Sequence, residues 1–194
     1  MADVERVQRR NNIILGIVMI VLLVGSSLGY SLMSADRESN NAVSEKGFDF
    51  VRDGGVWKLD IAGQVFGFQY LPSEVSDVEV NLSVQVGMYS GQPLYFVNPG
   101  EGVSEILANL DRYILRYQEA CFRKTITVGN YTINSNESVG NCEGNFPVKD
   151  CASNLIIFGD GNETSVYGEG NCVFIDGDSS RGSDAFLYEV LGIK

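Results

Sequence analysis

The chain contains no histidine in 194 residues. That absence removes Ser-His and Cys-His dyads and the commonest metal ligand together. Cysteine is scarce as well. Cys121, Cys142, Cys151 and Cys172 include no Cys-x-x-Cys pair for redox exchange and no closely spaced pair for zinc. Positive charge is the minority sign: fourteen Lys and Arg stand against twenty-five Asp and Glu, a net charge of −11. A domain so acidic repels nucleic acid and anionic lipid headgroups, and its acidity is read as a means of staying soluble. No Gly-x-Gly-x-x-Gly motif occurs, and no catalytic, cofactor-binding or metal-ligating residue is predicted.

One uncharged run is present. Ile13–Met33 carries no Asp, Glu, Lys or Arg. As a helix it would rise roughly 30 Å, the thickness of a hydrocarbon core. Residues 13–33 are therefore predicted as a transmembrane helix embedded in the lipid bilayer. Arg6, Arg9 and Arg10 precede it, and Arg37 and Lys46 follow, which keeps residues 1–12 in the cytoplasm. A cleaved signal peptide is the competing reading, with Ser27-Leu28-Gly29 as its small-residue cleavage site. Apolar character resumes at Leu32 and Met33, which favours an anchor. Both readings export the rest of the chain.

All four cysteines lie in that exported part, and an even count in an oxidising compartment reads as two disulfides. Three pairings are open. Sequons begin at Asn81, Asn130, Asn136 and Asn162, each a possible glycosylation site on an exported domain.

Polar residues 34–46 read as a tether, because they bring too few apolar groups to cover a core. Residues 47–194 then form one disulfide-braced domain. Its first part is a β meander. Phe48 and Phe50 lead to the turn Asp53-Gly54-Gly55, Val56–Ile61 forms the next strand, Ala62-Gly63 breaks it, and Phe66, Phe68 and Tyr70 alternate along another. Val78, Val80, Leu82, Val84 and Val86 alternate with polar residues, predicting a strand wet on one face.

Beyond Gln92 the pattern changes. Pro93–Val97 is a short buried strand and Asn98–Gly102 a loop. A helix is predicted from the spacing of Val103, Ile106, Leu107, Leu110, Tyr113, Ile114, Tyr117 and Cys121, with Glu105, Asn109, Asp111 and Arg112 on its polar face. Thr125–Ile133, Asn154–Phe158 and Cys172–Asp176 read as strands, Asn134–Lys149 as a loop, and Ala185–Leu191 as a final helix capped by Ser183-Asp184. The fold class is α+β: an N-terminal transmembrane helix, then an antiparallel meander and a mixed sheet packed by two helices. Asp176–Asp184 resembles a calcium loop only in part, since Arg181 replaces the required glycine and Leu187 the closing Glu.

The stretches Arg116–Cys121, Pro147–Cys151, Asn171–Ile175 and Asp184–Ile193 resemble uncharacterised membrane-anchored proteins of small-genome archaea. The likeness runs from Trp57 to the carboxyl terminus. It implies an archaeal cell envelope and paired cysteines, and no activity.

The function expected is that of a non-enzymatic envelope binding or assembly domain, its partner another envelope protein or a solute. The alternative is a membrane-tethered glycan hydrolase built on two carboxylates. A pilin-like filament subunit would need helix to continue through polar Ser34–Ser44.

Overall fold

The computed structural model describes Met19 and residues 41–128, 131–140, 142 and 144–193. The predicted transmembrane helix Ile13–Met33 (Met19 excepted), the cytoplasmic residues 1–12 and the tether up to Asn40 lie outside the described residues. Among the described residues no helix is long and apolar enough to cross a membrane.

Three two-residue turns build the first sheet. Lys46-Gly47, Gly54-Gly55 and Ala62-Gly63 all hold both residues at positive φ. That is the turn geometry that matches the twist of paired strands. They join β1 (Ala42–Glu45), β2 (Phe48–Asp53), β3 (Val56–Ile61) and β4 (Gln64–Phe68) in the order β1-β2-β3-β4. Strand pairing thus begins at Ala42, inside the stretch read as tether, because Val43 packs against the core. Phe50, Trp57, Leu59, Phe66 and Phe68 fill the inner face, while Val51, Val56 and Val65 stay exposed on the outer one.

The second sheet has six strands: β5 (Glu79–Asn81), β6 (Pro93–Val97), β7 (Arg116–Glu119), β11 (Leu155–Gly159), β12 (Ser165–Glu169) and β13 (Cys172–Asp176). Their order is β5-β12-β13-β11-β6-β7. Only the β12–β13 hairpin is antiparallel. Helix α1 (Gly102–Leu110) crosses from β6 to its parallel neighbour β7. Helix α2 (Ser179–Leu191) follows β13 and packs on α1. Leu94, Phe96, Ile156, Phe158, Val173 and Ile175 face the helices and the meander in the main core. Tyr95, Val97, Leu155 and Ile157 point the other way, into a second cluster with Ala120 and Phe122.

A three-stranded sheet adjoins that cluster through Phe122, where the sequence predicts a single strand, Thr125–Ile133. β8 (Cys121–Val128) and β9 (Tyr131–Val139) pair antiparallel, and β10 (Val148–Lys149) adds to β8 in parallel. The loop predicted from Asn134 is therefore strand as far as Val139.

Three further expectations are corrected. The helix predicted through Cys121 ends at Leu110, because the chain turns there and pairs along β6, with Leu115 N–H donating to Gln92 O. The strand expected over 78–86 keeps its alternation, with Val78 and Val84 buried and Glu79, Asn81, Ser83 and Gln85 exposed, but only Glu79–Asn81 is hydrogen-bonded as a strand. It is an edge strand whose partner β12 meets it over Ser165–Tyr167 alone. The last helix starts six residues before Ala185, because Asp178 rather than Ser183-Asp184 caps it, accepting from the Ser180 and Arg181 N–H groups.

Candidate functional site

The four cysteines form two disulfides, Cys121–Cys142 and Cys151–Cys172, with Cα atoms 5.0 and 4.9 Å apart. Asn81 is exposed on β5 and Asn162 is exposed in the turn after β11. The Thr164 hydroxyl of the Asn162 sequon accepts from the Asp178 N–H at 3.2 Å. Asn136 lies on β9, and Asn130 falls outside the described residues. These cysteines and sequons do not converge on one site. Among the described residues no group of three or more Cys, Asp or Glu could hold a metal ion. The calcium-like stretch is the end of β13 followed by the first turns of α2.

The structure instead brings together two residues that sequence reasoning kept apart. Glu105, expected on the polar face of α1, is 7% exposed, and Asp184 on α2 is fully buried. The reason is a second covering for α1. Gly102 lets α2 approach so closely that a Cβ there would lie 2.1 Å from Ser183 Oγ and 2.3 Å from the Ser179 carbonyl. One turn along, that contact buries Glu105 against Ser180 and Asp184.

Asp184 Oδ2 accepts from the Gln69 and Tyr70 N–H groups, both at 2.8 Å. Asp184 Oδ1, both Glu105 carboxylate oxygens and Ser183 Oγ have no partner. Burial, then the facing Asp184, push the Glu105 carboxyl up to about 8. Burial pushes Asp184 up to about 7, with the two backbone N–H groups pulling it back. Two such carboxyls settle into that space by keeping protons between them. The cue for the pair in the sequence is slight: the small residues Ser179, Ser180, Gly182 and Ser183 on one helix and Gly102 on the other.

A groove of about 620 Å³ lies beside this pair, between the segment after β4 and α2. Val75, Val78, Val80, Ala185, Tyr188 and Ile193 supply its apolar surface, and Glu45, Lys46 and Glu189 stand among its polar residues. A second cavity of about 410 Å³ gathers Gln92, Tyr95, Ser153, Asn154 and Asn171 at the opposite end of the parallel strands. Lys149 Nζ sits 4.6 Å from the centre of the Tyr95 ring. Neither Glu105 nor Asp184 lines either space.

No family model, no curated protein and no solved structure matches this chain.

Proposed function

We propose that this is the exported domain of a membrane-anchored envelope protein, held by Ile13–Met33, that works by binding another envelope protein rather than by catalysis. The observation carrying this reading is the groove beside α2, an open apolar surface edged by Glu45 and Glu189 together with Lys46. An apolar segment flanked by basic residues suits it, given the excess of Asp and Glu in the chain. The disulfides support an oxidising compartment. Exposed Asn81 and Asn162 support use as glycan acceptors there. The resemblance to anchored archaeal proteins adds the proposal of an archaeal cell envelope. Glu105 and Asp184, which face one another, are buried between helices and do not serve the glycan-hydrolase alternative.

The test is site-specific photocrosslinking of the full chain in its native membrane. A photoreactive residue at Ser76, in the groove, should yield one discrete adduct with another envelope protein. A control at Val51, on the outer face of the meander, should not. Equal labelling at both positions, or none at Ser76, would sink the reading.

A further inference from the structure

We propose that Glu105 and Asp184 form a proton-held clasp that fastens the chain from Gln69 to Asp77 onto α2, and that loss of the shared proton releases it.

The segment is tied to α2 by three side chains. Asp184 accepts from Gln69 and Tyr70 N–H, Tyr188 Oη donates to the Tyr70 carbonyl at 2.5 Å, and Arg181 donates to the Glu74 carbonyl at 2.8 Å and to Asp77. Of these three side chains, Asp184 alone is fully buried and alone stands against a second buried acid. Protonated, Glu105 donates to Asp184 Oδ1, and that bond leaves Oδ2 free to hold both N–H groups. Fully ionised, two negative charges face one another in a place closed to water.

The surrounding groups do little to relieve them. From α2 and its cap come Asp178, which adds negative charge, and the buried hydroxyls of Ser180 and Ser183. From the 69–77 segment come the Tyr70 phenol and Glu74, the latter also adding negative charge. On the α1 side, the Asn109 amide is spent on Gly67 and on the Glu105 carbonyl. Arg181, the cation among them, is engaged by Glu74 O and Asp77. Ionisation is relieved by parting α1 from α2 and admitting water, which slackens the segment that Asp184 holds. Val75 and Val78 of the groove lie in or beside that segment, so the clasp sets the groove's shape whether or not the groove holds a partner.

The sign follows from the direction of the shifts. Both carboxyls bind protons more tightly folded than unfolded, where they titrate near about 4. The folded state therefore loses stability as pH rises from about 4 to about 8, and changes little above that.

The experiment is hydrogen exchange by mass spectrometry on the full chain in detergent, corrected for the intrinsic pH dependence of exchange. Protection of the Gln69 and Tyr70 amides should fall at least about tenfold between about pH 6 and about pH 9. In Glu105→Gln, whose amide is a permanent donor, protection should stay within about twofold across that range. Asp184→Asn tests the same bond from the other side. Should both variants fail to fold, infrared spectroscopy of the wild type decides: a protonated-carboxyl stretch must persist at about pH 6, well above the usual titration of an acid. Its absence overturns the proposal. So does unchanged wild-type protection, or recovery of protection at high pH on adding calcium chloride, which would make the pair a cation site.

Discussion

Asn109 spends both ends of its amide on one residue, Gly67: Oδ1 accepts from the Gly67 N–H at 2.8 Å and Nδ2 donates to the Gly67 carbonyl at 2.7 Å. β4 is the outer strand of its sheet, so those backbone groups face away from β3. The side chain stands where another strand would stand, and it joins the meander to α1. Asn109→Ala should lower stability by about 2–3 kcal/mol, the cost of leaving that N–H and carbonyl without partners. Urea titration of both proteins measures it, with an unchanged slope showing that the fold is retained.

Ala62 is one of two turn positions in the meander, with Lys46, where a residue other than glycine holds positive φ. It sits at φ 54° before Gly63, whose N–H donates to Asp60 Oδ1 at 2.7 Å. Asn tolerates the left-handed region and gives the favoured Asn-Gly turn. Ala62→Asn should therefore raise stability by about 0.5–1 kcal/mol. A thermal melt shifted upward supports this; a downward shift refutes the turn geometry.

Gly102 sets the distance between the two helices. Gly102→Ala should destabilise the domain by about 3 kcal/mol, since the new methyl meets the Ser179 carbonyl and Ser183 Oγ. Removing the hydroxyl with Ser183→Ala in the same chain should recover part of the loss and no more, because the Ser179 carbonyl stays. Denaturation of the single and double variants separates these outcomes.

The non-reduced protein should be four hydrogens lighter than the reduced one, and proteolysis without reductant should link Cys121 to Cys142 and Cys151 to Cys172. Replacing Cys151 and Cys172 with serine should cost about 3 kcal/mol, the scale for closing a loop of that length. A peptide joining Cys142 to Cys151 would contradict the fold.

The first sheet was legible in the sequence because its information is local. Gly54-Gly55 and Ala62-Gly63 announce turns on either side of Val56–Ile61, and Phe66 and Phe68 alternate along the strand that follows. Burial along 78–86 was equally plain, although its hydrogen bonding was not: a residue's pattern shows which face is wet and not how far a neighbour runs beside it. The end of α1 is hidden in the sequence because Tyr113, Ile114 and Tyr117 fit a helical spacing, while Tyr113 and Ile114 close the turn on the Leu110 carbonyl and Tyr117 pairs with β6. The acid pair was invisible for a related reason. Glu105 and Asp184 lie far apart in the chain, and a Glu among Asn109, Asp111 and Arg112 looks like an exposed face until α2 is laid upon it. The pairing of the cysteines was left open among three choices, and the topology settles it by bringing β13 beside the start of β11.

That pairing follows the order of the chain: the first cysteine joins the second, and the third joins the fourth. Were the domain exported behind a cytoplasmic amino terminus, its thiols would meet an oxidant in that same order. Each thiol finds its correct mate as the next to emerge, so simple vectorial oxidation yields the native bonds. A domain wired in this way would need no reshuffling of bonds if its cysteines are oxidised in chain order.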